Sequence, residues 1–217
     1  MHLAAPAPSG VAFLGVSEAG YSGSETTHAI TLPTEGGVGD VDIVLFRIGV
    51  SAIIDDPQVV ITPPSGWTVL RTWGGIASLV TRKRESGDPA TISFGTDVGR
   101  RSVIQAVRVG GAHGDVEATS FVSFGNSMSI TPSWGSAENG YLSFGTNRRT
   151  DQVYVPPSGY GDMEVAVSQE ASSSTFQAAI ASARRIATNT TESGVAWSLS
   201  SGSVNQGVST LVAVRPA

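Results

Sequence analysis

The chain writes the same corner twice. "ITPPSGWTVL" runs from Ile61 to Leu70, and "YVPPSGYGDM" runs from Tyr154 to Met163. In Pro63-Pro64 and Pro156-Pro157 the rings fix φ and remove ladder donors, so a strand must stop there. Gly66 and Gly159 permit the reversal, and Trp67 and Tyr160 can then fold over the end of a sheet to cap its core. A site used twice would be unusual, whereas a joint used once per half describes how the molecule is built.

Other matches follow in the same order. "ITLP" at Ile30–Pro33 resembles "ITPS" at Ile130–Ser133, and each precedes an apolar strand (Val41–Ile48; Tyr141–Gly145). "IASLVTRKR" (Ile76–Arg84) resembles "AIASARR" (Ala179–Arg185), "ESG" recurs at Glu85 and Glu192, and "QAVRVGGA" (Gln105–Ala112) resembles "VAVRPA" (Val212–Ala217). The spacing drifts along the chain, as insertions in surface loops would make it. Two related halves follow, about residues 28–112 and 128–217.

Between the matches lie short apolar runs, several alternating as Trp67, Val69, Arg71 and Trp73 do. They are separated by "PTEGG", "DDP", "SGDP" and "DVGRR". Such spacing without helical runs predicts an all-β chain. Ser174–Ala187 fits both a helical and a two-residue period, and its match to the first half favours strand. A half of about six strands would leave a sheet face bare, and no charged or Pro-rich linker divides the halves. The prediction is therefore one domain over 11–217, a jelly-roll-like β-sandwich built from two related halves with little helix, preceded by an arm over residues 1–10.

Composition narrows the function. Of 217 residues only 14% are charged, the net charge is −5, and there is no cysteine. Thiolate metal sites and disulfides are excluded, and a generic nucleic-acid binder is not expected. No run reaches the eighteen apolar residues of a spanning helix, and "MHLAAPAPSG" lacks a basic leader, so no membrane or secretory role is expected.

The order "GDVDIVLF…ITPPSGWTVL…SLVTRKRESGDPATISF…VIQAVRVGG", with "AVRP" near residue 217, resembles β-sandwich segments of bacteriophage virion proteins. Those occur in fibre, minor-tail and head-decorating components. Asp42 and Arg47 depart from the more uniformly apolar strand that usually follows Gly-Asp. The resemblance implies a structural, non-enzymatic role with no catalytic residue to carry over. The expectation is a cement, decoration or head-spike subunit, made in the host cytoplasm and resident in the virion. Its partners would be the major capsid protein or tail subunits and further copies of itself. The chain is short and lacks a coiled-coil or repeat shaft, which favours capsid over fibre.

For chemistry the residues offer little. His2, His28 and His113 have no partner at metal-ligand spacing, no G-x-S-x-G elbow is present, and surface histidines are the plainer reading. Asp40/Asp42, Asp55/Asp56 and Asp162/Glu164 sit where turns are expected, and no D-x-D-x-D-G run supports calcium. No cofactor and no metal are expected.

The cations are more distinctive. Twelve Arg and one Lys include nine residues in clusters: Arg82-Lys83-Arg84, Arg100-Arg101, Arg148-Arg149 and Arg184-Arg185. Arg is enriched and Lys depleted at protein interfaces, although a GC-rich genome would produce the same bias. These residues, with His2 and Leu3 of the arm, are the candidate assembly contacts. The alternative function is a tail- or fibre-associated adhesion module that binds host glycans through exposed tryptophans, with Trp73, beside the Gly74-Gly75 turn, as the candidate contact.

Overall fold

The computed structural model describes residues 10–23, 25–49, 59–168, 177–202, 204 and 206–217. Every regular element among them is a β-strand. The first half contains β1 (Ala12–Tyr21), β2 (Thr27–Thr31), β3 (Val41–Ile48), β4 (Ile61–Thr62), β5 (Thr68–Trp73), β6 (Ala77–Lys83), β7 (Thr91–Thr96) and β8 (Ser102–Gly110). They form a large antiparallel sheet in the order β1-β8-β3-β6-β5 and a smaller one in the order β2-β7-β4.

The second half repeats this order. It contains β9 (Ala112–Ala118), β10 (Val122–Ser123), β11 (Met128–Ile130), β12 (Ala137–Asn147), β13 (Val153–Val155), β14 (Gly161–Val167), β15 (Ala179–Asn189), β16 (Glu192–Val195), β17 (Ser198–Ser201) and β18 (Val208–Pro216). The large sheet runs β18-β12-β15-β14, with β9 and β10 both laid along β18 where β1 lies along β8. The small sheet is split into the pairs β11-β16 and β13-β17. The split falls at Trp197, which leaves the strand line, buries itself and donates its indole N–H to Ser143 Oγ at 2.9 Å. The duplication thus includes one strand more at the start of each half than the sequence matches reveal.

The sheets stack in four layers with three cores between them. The face-to-face packing of the halves lies at the middle: Val41, Ile43, Leu45 and Val107 of the first large sheet meet Leu142, Phe144, Ile180 and Val212 of the second. Outside it, Val44, Phe46 and Ile104 pack on Ile30, Ile92 and Phe94 of the small sheet. In the second half Tyr141, Ala181 and Leu211 pack on Met128, Tyr154 and Trp197. Each half therefore adds an outer sheet to the sandwich that the halves make together.

Because both faces of the large sheets are covered, all of β3 and β8 is buried. That explains why these strands read as continuous apolar runs rather than alternating ones. At about 1.5–3 kcal/mol for each large side chain removed from water, the central core strongly favours keeping the halves together.

The ambiguous segment is a strand from Ala179 onward. All of β15 pairs with β12, placing Ala179, Ala181 and Ala183 in one core and Ile180 in the next. A helix there would strip β12 of a whole ladder of partners.

Candidate functional site

The two corners have one conformation. Gly66 and Gly159 both have φ of 79°, and the N–H of each following aromatic donates to a proline carbonyl, Trp67 to Pro64 and Tyr160 to Pro157. Trp67 packs against the first outer core and Tyr160 is buried in the second. Each corner also has an arginine and a carboxylate beside it. Arg82 lies over Gly66 and binds Asp88 at 2.5 Å; Arg185 lies over Gly159 and binds Glu192 at 2.9 Å.

The Tyr160 hydroxyl donates to Glu192 Oε1 at 3.3 Å. Burial, then the charge of Glu192, pushes this phenol well above its usual range. From Glu192 a partly buried chain of bonds continues. Asn189 Nδ2 donates to its Oε2 at 2.6 Å, and the Tyr141 hydroxyl donates to Asn189 Oδ1 at 2.6 Å. Asn139 Nδ2 donates to Tyr141 at 3.2 Å, and Trp134 Nε1 donates to Asn139 Oδ1 at 2.7 Å.

The clustered cations are mostly spent within the chain. Lys83 Nζ donates to the His113 carbonyl at 2.7 Å, Arg84 lies 3.5 Å from Asp42, and Arg101 Nε donates to the Ser22 carbonyl at 2.9 Å. Arg149 pairs with Asp151 at 2.7 Å, and Arg184 reaches Glu164 at 4.0 Å with its guanidinium over Phe13. Arg148 is buried and Arg100 half-buried, and both have partners in the chain. These side chains tie strands and turns together. His2 and Leu3 lie outside the described residues.

The two residues that interrupt β3 are also interior. Asp42 accepts from Arg108 Nε at 2.8 Å and Nη2 at 3.1 Å. Arg47 is fully buried between the halves, where Nη1 donates to Thr146 Oγ1 at 2.9 Å and Nη2 to the Gln206 carbonyl at 2.8 Å. Desolvation lowers its pKa to about 10. Trp73, the candidate glycan contact, packs on the central core with the Arg47 guanidinium 5.9 Å from its ring centre.

One histidine departs from the surface reading. His28 is fully buried, with Ser102 Oγ at 2.8 Å from Nδ1 and Thr96 Oγ1 at 3.1 Å from Nε2. The serine–histidine contact has the spacing of a nucleophile and base. Yet hydroxyls occupy both ring nitrogens, and Tyr21 and Phe46 pack beside the ring. The pair knits β2, β7 and β8 together. The alternation in "THAIT" places His28 inward with Ile30, a signal that was legible. Asp40 accepts from the Gly37 N–H at 2.6 Å as turn chemistry, and Asp55 and Asp56 lie outside the described residues. Among the described residues, no three His, Asp or Glu side chains are grouped to hold a metal ion.

The outer face of β14 falls in the stretch after Tyr160, where the second half departs in sequence from the first. Among the described residues this strand ends its sheet, pairing with β15 on one side. Ala166 points into the central core, while Met163, Val165 and Val167 are 38%, 36% and 43% exposed on the opposite face. The corresponding end strand of the first half, β5, exposes Thr68, Val69, Arg71 and Thr72, so a single apolar side chain stands there among polar ones. Comparison with family models, with curated proteins and with solved structures finds no match.

Proposed function

We propose that the chain is a non-enzymatic structural protein of a phage particle, docking on the shell as a cement, decoration or head-spike subunit and associating with copies of itself. The observation that carries the self-association is the β14 edge. An unpaired strand edge is a template for another strand, and proteins normally blunt it with charge or proline on its exposed face. Here three of the exposed side chains are apolar.

A second copy fits this edge. In an antiparallel register centred on Val165, Met163 meets Val167, Glu164 meets Ala166 and Asp162 meets Ser168, so no two acidic groups oppose each other. A four-layer body with buried ion pairs supports the role, because a shell component must transmit contacts without deforming. The phage assignment rests on the Gly39-Asp40 strand entry, the Pro-Pro-Ser-Gly corners and the "AVRP" ending. With the clustered arginines engaged internally, docking is assigned to the β14 edge and the N-terminal arm.

The test is binding of the purified protein to particles stripped of it. Deleting residues 1–10, or changing Val165→Lys, is expected to leave a folded protein that binds at least tenfold more weakly. Undiminished binding by both variants contradicts these contacts, and failure of the unaltered protein to bind contradicts the virion role.

A further inference from the structure

A groove of about 670 Å³ opens along one rim of the stack, where β5 and β6 of the first half meet β9 and β18 of the second. Its lining includes Leu70, Asp115, Glu117, Ser133, Trp134 and Arg215. That volume lies in the range of about 300–1,000 Å³ typical of small-ligand sites.

The aromatic wall is held in place from behind. Trp134 is tied through its indole N–H to buried Asn139, and that amide belongs to the chain of bonds running back to Tyr160. A preorganised ring loses little freedom when a ligand covers it. The polar groups have capacity left. Asp115 Oδ2 accepts from Arg215 Nη1 at 2.8 Å and lies 3.1 Å from His113 Nδ1. These contacts, the Arg215 bond foremost, hold the Asp115 carboxyl below its usual range. Its second oxygen and the rest of the Arg215 fork remain to meet hydroxyl groups. Glu117 is turned toward the Ser133 N–H and hydroxyl.

The first half shows that this arrangement is not required by the fold. There Arg108 turns inward to Asp42. In the second half the corresponding strand end, one residue beyond the Gly140–Val214 pair, sets Asn139 beside Arg215; the amide holds Trp134 and Arg215 turns out to Asp115. The groove on the opposite rim, along residues 16–19 and 29–35, has no aromatic and no arginine in its lining.

From this juxtaposition we infer that the Trp134 groove binds a neutral pyranose unit of a glycan. The C–H face of the sugar lies on the indole, and its hydroxyls donate to Asp115 and accept from Arg215. The charge balance selects the class: Glu117 and Asp115 oppose a phosphate or sulfate, and Arg215 opposes a cationic ligand. The site is independent of the β14 edge and of the virion role.

Saturation-transfer NMR on the full chain tests it. The probes are methyl pyranosides and linear tetrasaccharides of glucose, galactose, mannose and N-acetylglucosamine. Transfer to ring C–H protons of at least one probe is expected, with affinity reduced at least tenfold by Trp134→Ala and at least threefold by Asp115→Asn and by Arg215→Met. Asp115 is exposed and Arg215 half-buried at the groove, so these two variants keep the test valid if Trp134→Ala fails to fold. Absence of transfer from every probe, affinity unchanged in Asp115→Asn and Arg215→Met, or tighter binding of glucose 6-phosphate than of glucose would overturn the inference.

Discussion

His28 occupies a position where a charge is costly. Burial lowers its pKa from the ordinary 6.5, outweighing the opposing pull of Glu25. The unfolded chain therefore binds a proton more readily than the folded one, and stability is lost as the pH falls from about 6.5 through the lower folded-state value. Urea unfolding at pH 7.5 and 5.5 should show a loss for the unaltered protein and a smaller loss for His28→Asn, itself weaker at pH 7.5. Gly145 gives a steric prediction. An added Cβ would stand 2.8 Å from Trp197 Cγ and Cδ2 and 3.0 Å from Phe124. Gly145→Ala should cost about 1–3 kcal/mol in the same assay. From the sequence Trp197 was one tryptophan among four, because nothing local shows that a strand break will turn it inward against a glycine on another sheet.

The corners were legible because their chemistry is local: proline, glycine and an aromatic specify a reversal without help from the rest of the chain. What escaped the sequence is what arrives from elsewhere. Arg82–Asp88 could be guessed from spacing, but the Glu192–Asn189–Tyr141–Asn139–Trp134 chain crosses three strands and a loop. For the arginine clusters, sequence shows the charge but not the partners that folding brings from afar, such as Asp42 beside Arg84 and the Ser22 carbonyl at Arg101. If both corners are the same joint, Gly66→Ala and Gly159→Ala should each cost about 1–2 kcal/mol, since φ of 79° is costly for any residue with a Cβ. Markedly unequal losses in denaturant titrations would show that the joints have diverged. The β14 face shows how a duplicated element acquires its own surface: it exposes Met163, Val165 and Val167, whereas the first-half strand exposes Val69 among Thr68, Arg71 and Thr72.

Two halves sharing a central core behave as one body. The strands β1 and β9 went unmatched in sequence, since each lies along its own sheet by backbone pairing and shares few side chains with the other. The four layers were equally hidden: periodicity marks a buried strand, but not what covers each face. Residues 1–110 produced alone would expose the face bearing Ile43, Leu45 and Val107, and should aggregate, whereas co-production with residues 111–217 should yield a soluble complex that copurifies. The molecule presents the β14 edge for assembly with a second copy, as proposed above. Sedimentation velocity over a concentration series measures that directly. The unaltered protein is predicted to sediment as a dimer or larger oligomer and Val165→Lys as a monomer with an unchanged thermal midpoint; a monomer at every concentration for the unaltered protein would contradict it.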